Sequence, residues 1–512
     1  MLGKKLISSI TFTLTAQRFK WTMPGVRAVK KELLVKVHSR ATVEKGIQLM
    51  LRISATGKIL CLSLAACLVL LLQLASAQGI EPYPNAITNK LIYQETAMSP
   101  PPVGVIFSDP DFGSPMVRVT DQTTNYIHPT TYLRTAALGE ANEWSMDARK
   151  FYVVGHGDVE LAFGFDPSTM TISSLPGAKS GQGLLLPLRA GSAFSFVDPD
   201  FIYGTTNATP LTITGYRFST GTSATVIDTT TCGTQPPLVA THDHTVVSDD
   251  DITLSADDNR VVISEGGRDS GDHPFVIVYD KQLGCRWYNT QTGQIGGQWG
   301  ATGTASAPAG YLIRHTAISG NGQYVRVDVN NFGFYIWDLA TLNLVACPVN
   351  GGLFCSGYGT MGNSAYVNAA GKVDQMNTLI RPLSSLGDYS QLVYPLEPPY
   401  HFGQAKHFAW ANGYFNDALP VCGSTYNSHG LPQIDAPYDG EIFCIETDGL
   451  ASTVWRFAHN RALWIAPNFN TQPLGNVSID GRWFLFTSRW DGQLGNDNTG
   501  LPRSDVWIVK LD

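Results

Sequence analysis

His315 and His407 hold the same place in a repeating pattern, each four residues before a turn position, Ser319 and Ala411. His244 stands four residues before Ser248, in one of two registers open to that unit; the other takes Ile252–Ser255 as the repeat. His242 alternates with His244 along a strand, so the two would share one face. Imidazoles converging from several units could hold a divalent metal (manganese, calcium or zinc), and Gln404 could add an oxygen ligand. Arg314 and Lys406 directly precede the two repeated histidines. β-Elimination beside a carboxylate needs a base to take the proton and a cation to neutralise the enolate, roles for His315, Arg314 and Lys406. Arg456, Arg461 and Trp410 are candidate contacts for an acidic sugar. The competing expectation is plainer: a histidine at a repeated position hydrogen-bonds the neighbouring unit and caps a strand.

The elements that would carry these residues repeat along the chain. Trp144-Ser-Met-Asp147 precedes Phe151–Val154, and Leu254-Ser-Ala-Asp257 precedes Val261–Ser264. Ile318-Ser-Gly-Asn321 runs into Tyr324-Val325, and Val477-Ser-Ile-Asp480 into Trp483–Phe486. Ala409-Trp-Ala-Asn412 and Val197-Asp-Pro-Asp200 are looser copies. Asp-Gly and Asn-Gly steps accept the positive φ of a tight turn, and the apolar run that follows enters a sheet. One such unit cannot bury both faces, so copies must stack. The spacing predicts seven units over positions 78–512, about 62 residues each, longer than the ~40–45 of a compact WD40 blade. The expected fold is therefore an all-β, seven-bladed β-propeller. Val103–Phe107 and Met116–Thr120 are expected to join Phe484–Ser488 and Asp505–Leu511 in the last blade, closing the ring through its two termini.

Composition supports a turn-rich β protein. The 512 residues include 50 Gly and 29 Pro, and only 15% are charged against about 25% in an average soluble domain. The overall net charge of −7 hides two unlike parts. Of 35 basic and 42 acidic residues, 12 and 2 lie in 1–77; the remaining 23 and 40 give 78–512 a net charge of −17. That balance argues against nucleic acid as a partner. It leaves room for an acidic polysaccharide or oligosaccharide in a locally basic funnel.

Arg52 and Lys58, the apolar run Ile59–Leu72 and Ala75-Ser-Ala77 form the three-part pattern of a signal peptide. The sequence thus divides into a basic extension (1–49, a candidate mis-assigned start), a signal peptide (50–77) cleaved near Ala77, a linker (78–99) and one propeller domain (100–512). The destination is periplasmic or extracellular, with no transmembrane segment expected in the mature chain. Export suits the six cysteines that remain. Sequence neighbours pair Cys347 with Cys355 and Cys422 with Cys444, leaving Cys232 with Cys285. A Gly-x-Ser-x-Gly elbow, a P-loop and His-Glu-x-x-His are absent.

With these blade motifs the chain resembles the secreted, WD40-like (TolB-like) seven-bladed propellers of bacteria. The segment His401-Phe-Gly-Gln404-Ala-Lys-His407 is in addition similar to the oligogalacturonate lyases, in its Gln-x-x-His spacing. That resemblance implies a metal-assisted polysaccharide lyase with a His/Gln-bound metal. Ala409 stands where that family's pattern has a further histidine. The alternative is a non-catalytic propeller that binds a cell-wall glycan or a periplasmic protein.

Overall fold

The computed structural model describes residues 82–512 except 130, 137–138, 158, 206–211, 229–251, 266–274, 300–307, 312, 330–332, 348–358, 371–376, 394–403, 411–416, 428–433, 435, 448–452 and 464–468. These residues form seven antiparallel sheets of four or five strands. The sheets follow one another along the chain as the blades of a propeller. Blade 1 opens at Leu133–Arg134, blade 2 at Arg189–Phe194, blade 3 at Thr253–Leu254 and blade 4 at Ile313–Ile318. Blade 5 opens at Thr360–Met361, blade 6 at Gln404–Trp410 and blade 7 at Gly475–Val477. Among the described residues the only helix is the single 3-10 turn Phe469–Thr471.

The strands read as continuous apolar runs because each blade is covered on both faces, and strand alternation divides its side chains between two neighbours. Val261 and Ile263 pack with Tyr203 and Ile213 of blade 2, while Val262 points the other way, onto Val325 and Trp337 of blade 4. Ala317 and Phe334 join blade 4 to Met361 and Tyr366 of blade 5. Val367 meets Phe408 and Phe443 of blade 6. Trp455 and Phe457 meet Phe484 and Trp507 of blade 7. Leu485 and Ile508 meet Phe151 and Phe163 of blade 1. Tyr152 and Ala162 meet Phe194 and Ile202 of blade 2. Seven interfaces close the circle.

The expected ring closure is present. Pro115–Arg118 pairs with Asp505–Lys510 in the register Met116↔Val509, Val117↔Ile508 and Arg118↔Trp507. Ile106–Ser108 pairs outside it, so blade 7 takes three strands from the C-terminal end and two from the N-terminal end. The guanidinium of Arg118 also donates to Asp505.

The repeated Ser-x-Asp/Asn motif has one structural meaning. Ser478 Oγ donates to Asp480 at 2.5 Å and accepts from the Trp483 N–H at 3.0 Å. Ser319 does the same with Asn321 (2.8 Å) and Tyr324 (3.0 Å), and Ser255 with Asp257 (2.6 Å) and Arg260 (2.9 Å). Ser145 follows the pattern with Asp147 (2.7 Å) and Lys150 (2.8 Å). The hydroxyl thus holds the turn that leads from each innermost strand to the next strand.

Residues 82–99 pack on the propeller. Tyr83 is buried against Trp455 and Phe457, with edge-to-face ring distances of 5.3 and 5.1 Å. Ile87 forms an antiparallel bridge with Arg456 at the outer edge of blade 6. Cys422 and Cys444, opposite each other on adjacent strands, form the expected disulfide. Cys285 and Cys347 are also disulfide-bonded; Cys232 and Cys355 lie outside the described residues. No described helix is long and apolar enough to cross a membrane.

Candidate functional site

The innermost strand of blade 1 is interrupted. Leu133 and Arg134 pair with Gly155 and Val154, and Trp144 rejoins the same strand at Phe151. Between them the described residues of 135–143 leave the sheet and reach five other blades. Phe194 of blade 2 exchanges two hydrogen bonds of 2.8 Å with Asn142. Arg326 of blade 4 donates to Glu140 Oε1, and the Met361 N–H of blade 5 donates to the same oxygen at 3.0 Å. Asn476 of blade 7 donates to the carbonyls of Gly139 (3.2 Å) and Ala141. Thr487, also of blade 7, accepts from the Thr135 N–H at 2.9 Å. Gly139 lies so close to blade 6 that a Cβ would stand 1.7 Å from the Phe408 carbonyl oxygen, so only glycine fits. A segment bonded to opposite sides of the ring crosses its middle. At this level the axis is crossed by protein.

The plug carries buried charge. Glu140 and Arg326 are both fully buried, and Arg326 Nε is 3.0 Å from Asp328 Oδ1. Burial pushes the Glu140 carboxyl up, and Arg326 acts against that shift. A small cleft beside the plug is lined by Gly139, Asn142, Phe196, Trp410 and Asn476. Trp410, a predicted sugar contact, lines this cleft and packs against Ala365 and Val367 of blade 5; its indole N–H donates to the Leu419 carbonyl at 2.7 Å.

His315 and His407 lie within the innermost strands of blades 4 and 6, and both are buried. They pair across those strands with Asp328 and Ser424. His407 Nε2 is 3.0 Å from Gln472 Oε1, in the segment that leads into blade 7, so this imidazole bridges two blades. Among the described residues, no third His, Cys, Asp or Glu gathers with His315 and His407 as a metal site would require. His242 and His244 lie outside the described residues, as do the side chains of Arg314, Gln404 and Lys406. Of the five residues expected to hold a metal, the described side chains are those of His315 and His407 alone.

Arg456 and Arg461 are fully buried and tied to the N-terminal segment. Arg456 grips Glu441 with two nitrogens (2.7 and 2.5 Å) and donates to the carbonyls of Asn89 and Leu91 at 2.8 Å. Arg461 donates to Glu95 at 3.0 Å and to the Thr96 carbonyl at 2.8 Å. The sequence brings both arginines near His459, but nothing in it foretells that residues 82–98 return to cover them.

His459 itself joins a group that the sequence reading missed. Asp109, Asp111 and His459 place one donor atom each within 4.8 Å of one another, the only such group of three among the described residues. Its signal was the Asp109-Pro-Asp111 spacing in the loop of the closing hairpin, too common in turns to mark a site on its own.

No protein-family model and no curated protein sequence matches this chain. Among solved structures, it is similar to the oligogalacturonate lyase of Vibrio parahaemolyticus, with a TM-score of 0.47 and 12% identity over 83% of this chain and 98% of that one. An oligogalacturonate lyase in complex with manganese gives a TM-score of 0.48, with the same identity and coverage. The hydrazine synthase of Kuenenia stuttgartiensis gives 0.40 at 12% identity, over 73% of this chain and 96% of that one. These likenesses are distant, and the assignment of a seven-bladed β-propeller rests on the sheet order and the seven interfaces of the chain itself.

Proposed function

We propose that this chain is an exported propeller that binds an acidic oligosaccharide or polysaccharide at the end of the ring where its innermost strands begin. One observation carries the reading: Arg314-His315 and Lys406-His407 put a basic residue and a histidine at equivalent positions of two innermost strands, in blades 4 and 6. A basic residue repeated beside a histidine in two blades suits a carboxylate-bearing ligand, even on a chain whose mature part is strongly acidic. The leader pattern of residues 50–77 and the disulfide chemistry support export.

Binding without catalysis is the reading the described geometry favours. His407 is engaged with Gln472, and Arg456 and Arg461 are engaged with the N-terminal segment. A polysaccharide lyase is the second reading, favoured by the imidazoles: histidine beside a cation is the pair that proton abstraction and enolate neutralisation require.

The test is equilibrium binding of oligouronates and of matched neutral oligosaccharides, alongside an ultraviolet assay for unsaturated product. Preference for the uronates, weakened by salt and reduced about 10- to 100-fold in Arg314→Ala or Lys406→Ala, supports the proposal. Equal affinity for neutral glycans would sink it. Unsaturated product, lost in His315→Ala, would establish the lyase. N-terminal sequencing of exported protein should begin at Gln78.

A further inference from the structure

We infer that Asp109, Asp111 and His459 form a structural site for a first-row divalent cation, of the zinc type, which clasps the closing hairpin of blade 7 to the last strand of blade 6. The site is independent of the glycan-binding proposal and of the axial histidines.

The three donors come from two places that the ring must bring together. Asp109 and Asp111 lie in the loop between Ile106–Ser108 and Pro115–Arg118, and His459 ends the strand Val454–His459. The imidazole is fixed by its far nitrogen. His459 Nε2 is 3.0 Å from the Tyr93 carbonyl, which can only accept, so Nε2 carries the hydrogen and Nδ1 faces the carboxylates. A hydrogen bond from the far nitrogen to a backbone carbonyl is the usual outer support of a metal-bound histidine. Nδ1 stands 3.1 Å from Asp111 Oδ2. Two ligands of a tetrahedral zinc with bonds of ~2.0 Å are about 3.3 Å apart, so the spacing is nearly that of a shared metal.

Each carboxylate is also oriented by backbone or threonine donors. Asp111 Oδ1 accepts from the Thr96 hydroxyl at 2.6 Å, and Oδ2 from the Thr96 N–H at 2.9 Å. Asp109 Oδ1 accepts from the Asp111 and Phe112 N–H groups at 2.9 Å, and Oδ2 from the His459 N–H at 3.1 Å. Asp109 Oδ2 and both Asp111 oxygens each keep a lone pair for a metal. Phe112 lies edge-on to the imidazole at 5.0 Å and shields that side. Asp109 and His459 are buried, while Asp111 is partly exposed and gives the ion its path in. Two carboxylates and one imidazole suit zinc or manganese; calcium takes about 6–8 oxygens, more than this trio supplies.

The test uses the whole mature protein, stripped with EDTA and dialysed, then titrated with ZnCl2, MnCl2 or CaCl2. Metal content and melting temperature are the readouts. The expected result is one equivalent of zinc or manganese with a higher melting temperature, and at least tenfold weaker binding in Asp111→Asn, the variant least disturbing to the fold. His407→Ala should keep its equivalent. No metal uptake by the wild type, or uptake that survives Asp111→Asn and disappears in His407→Ala, overturns the assignment. Stabilisation by calcium alone also overturns it.

Discussion

Glu140 of blade 1 accepts a hydrogen bond from Arg326 of blade 4, 186 positions further along the chain. The two side chains are fully buried, so each neutralises the other where water cannot. Glu140→Met should leave the guanidinium without that partner and cost about 3–5 kcal/mol. The double variant Glu140→Met/Arg326→Met should recover part of that loss. Chemical denaturation of the wild type, the double variant, Glu140→Met and Arg326→Met tests this; additive losses would mean that the pair is not coupled.

The turn serines give a repeat-wide prediction. Ser478→Ala and Ser319→Ala each remove a hydroxyl that satisfies a buried N–H and holds an acidic or amide side chain. Each should cost about 1–3 kcal/mol. Thermal melts of the single variants should agree within a factor of about two, because the same bonds are lost in different blades.

Stability should fall on the alkaline side through Glu95. Its carboxyl is pushed from 4.5 to about 9, first by burial, then by its hydrogen bond with Asp491 and that group's charge, with Arg461 opposing. The folded state therefore holds a proton that the unfolded chain releases near 4.5. The contribution is fully present below that pH and disappears as pH rises through about 9. Melting temperatures between pH 5 and 9 should decline less in Glu95→Gln than in the wild type.

Replacing Cys422 and Cys444 with alanine opens a link between residues 22 apart. The loss expected from chain entropy is about 3 kcal/mol. Non-reducing unfolding of the double variant against the wild type measures it. Equal stability would show that strand pairing alone fixes these two strands.

The seven-bladed ring was legible because its code is local. A serine, an acidic or amide residue two positions on and an apolar run recur in Trp144–Val154, Leu254–Ser264 and Val477–Phe486, and each copy makes the same bonds. Closure was legible for the same reason, since the last unit lacked strands and the first had spare ones. The plug was not: Thr135–Glu143 has no repeat partner, and its contacts are with residues far along the chain. Asp111 and His459, 348 positions apart, escaped for the same reason. The repeated histidines were legible as a four-residue spacing from the turn; their place within innermost strands and the turn of His407 to Gln472 were not.

The sheet that joins Arg118 to Trp507 also sets a timetable. Arg118 and Asp505 are 387 positions apart, and closing so long a loop costs on the order of 5 kcal/mol. During synthesis, the N-terminal hairpin is among the first strands made, yet its partner is the last. Until Asp505–Lys510 appears, the nascent chain is an open arc with bare apolar faces at both ends and an unpaired edge. Maturation thus waits on Asp505–Lys510, and a chain stopped before that strand should be a target for proteases and for self-association.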